Sequence, residues 1–225
     1  DFADLIREIN AIPGDFLIRF MTSHPRDATE KLFRTMAECE KCARHIHLPV
    51  QSGSDRVLKA MNRHYDRAKY LEEVRLAREL MPDIVLTTDI IVGFPGETAE
   101  DFADTLSLVE EVRYDAMFTF IFSPREGTPA ARMPDPVSRE EKQVWFDQLV
   151  ETANRISGEK HQEYIGRKLR VLVDGETGRG EYNLSARTNG GRLVHLKADP
   201  SLVGSFIEAE ITDGNTWALY GVPAE

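Results

Sequence analysis

Two hydrophobic periods take turns along the first part of the chain. In residues 1–10, Phe2, Leu5, Ile6 and Ile9 recur at helical spacing, and Pro13-Gly14 ends that helix. Residues 16–21 (FLIRFM) form a short apolar run, which predicts a buried strand closed by Thr22-Ser23-His24-Pro25. Residues 27–38 return to the helical period. A second strand is expected over 45–50 (HIHLPV), then helices over 55–62 and 66–80, where Tyr70, Val74, Ala77 and Leu80 share a face. Residues 84–92 (IVLTTDIIV) are apolar and largely β-branched and are bounded by Pro82 and Gly93, so they read as a third strand. Thr98 and Asp101 have the spacing of a capping box opening a helix over 101–112, with Phe102, Leu106 and Val109 inward. A fourth strand is expected over 115–122 (DAMFTFIF), ending in the turn 123–129.

Strand and helix therefore alternate, which is the pattern of an α/β fold with parallel strands and right-handed crossovers. Small or polar residues follow each strand, the composition of a site along one rim of a barrel or open sheet. Four strands are too few to close a barrel. The proline-rich joint MPDPVS (133–138) leads into a long helix over 138–164. Beyond Gly166 five short strand-like runs follow, at 169–173, 184–188, 193–196, 206–211 and 217–220, separated by turns such as Asp174-Gly175, Asn189-Gly190-Gly191 and Asp213-Gly214-Asn215. That spacing predicts a small all-β barrel. The expected division is a partial parallel (β/α) barrel over 1–137, a linking helix over 138–165 and a β-barrel over 166–225.

Composition changes this picture only at the edges. The 225 residues are 41% hydrophobic and 29% charged, as in globular proteins, and hold no apolar run long enough to span a membrane. The net charge of −10 argues against broad, nonspecific nucleic-acid binding but permits a local basic face. Cys39 and Cys42 are the only cysteines, which excludes a disulfide framework and points to a cytoplasmic setting. The chain starts at Asp1 inside an amphipathic helix and reads as a piece of a longer protein.

Candidate chemistry gathers at strand ends. Asp89 is a carboxylate inside an apolar strand and requires a partner there. Gly93-Phe94-Pro95-Gly96 is either a ligand loop or a tight turn needing glycine for its dihedrals. Gln51-Ser52-Gly53-Ser54 offers donors and acceptors suited to a ribose or an amino-acid carboxylate, and Ser54 also suits a helix N-cap. His24 reads as a capping or loop residue. Cys39-Glu40-Lys41-Cys42 lacks further ligands at zinc spacing and reads as two unpaired thiols. Arg187, Arg192 and His195 cluster near one predicted hairpin, as a phosphate contact or as ordinary solvated surface, the latter favoured by composition. If the turn is tight, Arg187 and Arg192 would present both guanidinium groups on one side.

Three stretches in this order resemble the radical SAM methylthiotransferases: HLPVQSGSDRVLKAMNRHY at 47–65, TDIIVGFPGET at 88–98 and FTFIFSPREGTPAA at 118–131. The Pro-Val-Gln-Ser-Gly-Ser wording, with Ser23-His24-Pro25, is most similar to the tRNA-modifying branch. The last sixty or so residues resemble a TRAM domain, a small OB-like barrel. The resemblance implies a radical SAM partial barrel followed by TRAM. It also implies transfer of a methylthio group to isopentenyladenosine beside the anticodon of tRNA. S-adenosylmethionine (SAM) would be cleaved at one 4Fe-4S cluster and sulfur inserted with a second. By the same resemblance Gln51 and Ser54 make polar contacts to SAM, Ile91, Gly93 and Glu97 lie near its adenosyl group, and Arg63 meets its carboxylate. Arg187 and Arg192 are the residues expected to touch RNA. The family's C-x-x-x-C-x-x-C triad is absent, as is an N-terminal domain with three further cysteines. No cluster is therefore expected in this fragment, which should be inactive without the missing N-terminal part. The alternatives are a related methylthiotransferase acting on another tRNA base or on ribosomal protein, and an RNA-binding module alone.

Overall fold

The computed structural model describes residues 1–21 and 24–224, the side chain of Arg179 aside. Thr22 and Ser23, part of the expected turn and of the Ser-His-Pro match, lie outside the described residues. Helix α1 (Phe2–Asn10) opens with a capping box between Asp1 and Asp4 and packs against α2 (Glu30–Glu38), capped by Thr29. Strand β1 (His45–His47), helices α3 (Asp55–Ala60) and α4 (Arg67–Leu80), strand β2 (Val85–Val92), helix α5 (Ala99–Val112) and strand β3 (Ala116–Ile121) follow. The three strands form one parallel sheet in the order β1-β2-β3.

Register explains the polar residues within apolar strands. Ile46, Leu86, Ile90 and Val92 point to the helix-covered face and are fully or almost fully buried. The other face carries His47, Thr87, Asp89, Ile91, Phe118 and Phe120, and its Phe118 and Phe120 stand 55% and 49% exposed. Polar Thr88 is on the buried face for a different reason. Pro49 has no N–H for the ladder, and Thr88 Oγ1 bridges the gap, accepting from Val50 N–H and donating to the Leu48 carbonyl. The ladder resumes where Gln51 pairs with Ile90.

One expected strand is absent. Within 16–21 only Ile18 pairs, in a single parallel bridge with Cys42. The run is apolar because it packs, with Phe20 against the core and edge-on to Phe2 at 5.0 Å, and not because it extends the sheet.

Helix α6 (Arg139–Gln162), capped by Ser138, lies along α5 and β3, with Trp145 stacked on Phe102 at 5.4 Å. It leads into a closed barrel of β4 (Lys168–Arg179), β5 (Tyr182–Thr188), β6 (Leu193–Leu196), β7 (Phe206–Gly214) and β8 (Leu219–Pro223), ordered β4-β5-β6-β8-β7. Its core is small: Val171, Val173, Leu184, Ala186, Val194, Leu196, Ala209, Ile211 and Leu219. Asp174-Gly175, expected as a turn, is an irregularity inside β4, where Asp174 binds Ser185 and Arg187 of the neighbouring strand. Trp217, expected in the last strand, lies in the loop before it.

The barrel is seated on the sheet. Asn189 Oδ1 accepts from Arg44 N–H at 3.0 Å. Ser157 Oγ and Gln162 Nε2 of α6 donate to the carbonyls of Thr216 and Gly214. At the centre Asp115, 5% exposed, accepts from Leu86 N–H, from Lys160 and from Arg192.

Candidate functional site

The C-terminal ends of β1, β2 and β3 surround a cavity of about 560 Å³ lined by Gln51, Arg63, Asp89, Ile91, Phe120, Phe122 and Arg125, among others. Sheet register does most of the assembly: Asp89 and Ile91 alternate inward on β2, and Phe120 stands beside Ile91 on β3. Gln51 is locked by two backbone bonds to one edge of β2, donating to the Asp89 carbonyl and accepting from Ile91 N–H. This forces it to φ 74, a left-handed conformation that a non-glycine residue adopts at a cost. Its side-chain amide has no protein partner among the described residues. Asp89 has the partner its position required: His47 Nε2 lies 3.3 Å from Oδ1, while His47 Nδ1 is hydrogen-bonded to Thr87 Oγ1 at 2.9 Å. Arg63 enters from the turn after α3, its Nη1 3.4 Å from Nε2 of His24. His24 also caps a short 3₁₀ turn and packs edge-on to Tyr65.

Gln51, Arg63 and Ile91 are thus brought together. Ser54, Gly93 and Glu97 are not among the cavity's lining residues; they brace the loops that form it. Ser54 caps α3 and donates to Asp101 Oδ1 at 2.6 Å. Burial opposes ionisation of Asp101, but hydrogen bonds from Arg56, Ser54 and Thr98 outweigh it and hold that carboxyl below its usual range. The expected capping box of Thr98 and Asp101 is present. Gly93, at φ 72, lies under Lys142 of α6, whose Cδ would stand 2.5 Å from a Cβ there. Glu97 folds back to accept from the N–H groups of Gly93 and Phe94, closing the glycine loop on itself. Its other oxygen is buried without a partner, and burial pushes the carboxyl up to about 7 against those two bonds. Phe120, Phe122 and Arg125 were not assigned to the site from sequence, and Asp89 was singled out only as a strand carboxylate in need of a partner. The signal lay in the inward alternation of β2 and β3 and in the 123–129 turn at a strand end.

The two arginines near the second hairpin part ways. Arg187 stays at the surface and pairs with Asp174 at 3.1 Å. Arg192 is 7% exposed, held by Asp115 and covering the Tyr164 ring at 4.8 Å. They do not share one exposed side, because the hairpin is docked and turns Arg192 into the seam. Cys39 and Cys42 are buried free thiols, and burial raises both, Cys42 to about 11. A low-pKa thiolate suited to metal is the opposite environment. Among the described residues no three His, Cys, Asp or Glu side chains could together hold a metal ion. Two buried thiols of raised pKa do not make the cysteinate set of an iron–sulfur cluster, and the rim combines apolar walls, an unpaired amide and an arginine.

The family model of the radical SAM superfamily matches residues 1–109, and that of the TRAM domain matches 162–224. The tRNA-2-methylthio-N(6)-dimethylallyladenosine synthase of Acetivibrio thermocellus is 49% identical over 220 residues, covering 98% of this chain and 46% of that protein. The chain belongs to the radical SAM methylthiotransferase family. The synthase of the same name from Clostridium botulinum strain Langeland is 48% identical, over 98% of this chain and 49% of its own length. The chain thus spans about half the length of the curated relatives it matches. Coproporphyrinogen III oxidase of Escherichia coli, a radical SAM enzyme, shares the fold at 16% identity, with a TM-score of 0.52 over 91% of this chain and 51% of that one. For this radical SAM methylthiotransferase chain, the three-stranded sheet is part of the α/β barrel and the closed barrel is the TRAM domain. No described helix is long and apolar enough to cross a membrane.

Proposed function

We propose that the whole protein is a cytoplasmic tRNA-modifying enzyme that adds a methylthio group to isopentenyladenosine next to the anticodon. The observation that carries this reading is near-half identity along 98% of the chain to synthases of that printed name. The rim geometry supports it. Ile91 and Phe120 offer apolar walls to an adenine, Gln51 and Asp89 offer polar atoms to a ribose, and the planar fork of Arg63 suits a carboxylate. Gly93, Glu97 and Ser54 would keep the rim loops fixed, so that the nucleoside meets a preformed site. Gln51, Asp89, Ile91 and Arg63 would hold SAM, which with iron–sulfur clusters borne elsewhere in the protein would supply the radical and sulfur-transfer chemistry. The cluster ligands are proposed for the part of the protein beyond this chain, and the chain by itself is proposed to be inactive. tRNA is the proposed partner of the TRAM barrel, with Arg187 its exposed guanidinium.

The test is nucleoside mass spectrometry of tRNA from a strain lacking the gene. The methylthio-isopentenyl nucleoside should vanish and return with the whole protein. Its persistence, or loss of a different methylthiolated base or of a modified ribosomal protein, would overturn the substrate assignment.

A further inference from the structure

A second cleft, of about 380 Å³, runs between the TRAM barrel, α6 and the start of β3. Its charge is unbalanced. Arg19 lies flat on the β5–β6 hairpin, where a Cβ on Gly191 would fall 2.4 Å from Nη2 and 2.9 Å from Cζ. It makes no hydrogen bond or ion pair among the described residues. Burial lowers the Arg19 pKa, and its charged neighbour, the cation Arg187, lowers it further. Arg192 borders the same cleft with its Nε buried and unpartnered. The one carboxylate in the lining, Asp115, is already committed to Leu86 N–H, Lys160 and Arg192. Arg187 is paired on its outer side with Asp174 through Nε and Arg192 with Asp115, so Arg19 is the guanidinium of this group left without an anion among the described residues.

Beside them stands an aromatic surface. Trp217 is 73% exposed, in a turn whose Asn215 side chain accepts from the backbone N–H groups of Trp217 and Ala218. Phe118, 55% exposed, faces the cleft from the sheet. Phosphate suits paired guanidinium forks, and an unstacked base suits an exposed indole, so one ligand that carries both at nucleotide spacing is single-stranded or looped RNA.

We propose that this cleft binds a looped RNA segment, with a phosphodiester held between Arg19 and Arg187 and a base stacked on Trp217. The proposal rests on the tRNA reading and deepens it: RNA is gripped by the seam between sheet and barrel, not by the barrel alone. Arg19 makes no hydrogen bond or ion pair among the described residues, and Arg19→Gln keeps much of the side chain that packs on Gly191 while removing its charge.

The probe is a short RNA stem-loop with an adenine-rich loop, titrated into the 225-residue chain at several salt concentrations. Arg19→Gln and Arg187→Gln should each weaken binding severalfold and lower the salt slope by about 0.7 to 1. Trp217→Phe and Trp217→Ala should weaken binding, the alanine variant by roughly tenfold. RNA should quench the emission of exposed Trp217, leaving that of buried Trp145, while polyphosphate, which has no bases, should not. Arg75→Gln, which removes a surface charge paired with Glu79 on α4, should change nothing. Thermal unfolding of each variant checks the fold. Equal affinity and slope in Arg19→Gln, or equal quenching by polyphosphate, would overturn the cleft and leave the tRNA reading standing. A parent chain that binds no RNA would overturn the cleft as well, whereas the tRNA reading falls only with the nucleoside analysis of the whole protein.

Discussion

Gly53 lies where α5 comes closest to the strand-end turn. A Cβ there would stand 2.6 Å from both the Asp104 carbonyl oxygen and Thr105 Cα, backbone atoms that cannot step aside. Gly53→Ala should therefore destabilise the chain by about 2 kcal/mol. An unchanged urea midpoint would show that α5 can shift. From sequence Gly53 was only one of several small polar turn residues, because the approach of α5 is a tertiary fact. Glu73 was equally hidden. It reads as one of two adjacent glutamates on α4, yet it is 5% exposed with Oε2 unpartnered, and burial pushes it up to about 7 from an ordinary 4.5. The folded state then holds this proton more tightly than the unfolded state. The contribution of Glu73 to stability should be greatest below about pH 4.5, fall as pH rises to 7 and level off above, by at most about 3 kcal/mol, while Asp101, held low, acts the other way only in acid. Glu97 acts in the same direction as Glu73. Glu73→Gln should remove about half of their joint slope in denaturation curves taken at pH 5, 6, 7 and 8; an undiminished slope would count against its burial as the cause.

At the scale of elements, the second, third and fourth expected strands of the first part and all six long helical stretches were legible, because their apolar period matches the face they bury. The run 16–21 was not, since a short apolar run looks the same whether it ladders or merely packs. Nor did sequence separate a turn from a docking point. In Asn189-Gly190-Gly191 only Gly191 has a positive φ, 82. Gly190 is needed for closeness: a Cβ there would meet Val85 Cγ2 at 2.3 Å. The hairpin is the foot on which the TRAM barrel stands. Gly190→Val should lift that foot and lower stability by about 2 kcal/mol. Faster proteolysis between α6 and β4 would be the visible sign, and an unaltered digestion rate would mean that the hairpin contact is dispensable.

For the whole molecule, the seam around Asp115 makes two cores behave as one body. Calorimetry of the chain should give a single transition, and Asp115→Ala, which strands Lys160 and Arg192 in a buried site, should split or broaden it at a cost of about 3 to 5 kcal/mol. A sharp, unshifted transition would mean that the seam is weak. The rim and the TRAM seam lie at opposite ends of the strands, so the proposed SAM site and the proposed RNA site can be tested by separate mutations. Sequence pointed to Gln51, Arg63 and Ile91, which do converge. It could not tell them from Ser54, Gly93 and Glu97, because bracing a loop and touching a ligand use the same residue types at the same strand ends. The measurement that bears most directly on this account is reductive cleavage of SAM by the whole protein, read as 5′-deoxyadenosine formed without tRNA. Replacing Gln51 and Arg63 together by alanine should raise the SAM concentration needed by tenfold or more, whereas Arg187→Gln should leave cleavage unchanged. Wild-type cleavage by the Gln51, Arg63 double variant would contradict the assignment of the rim as the SAM site.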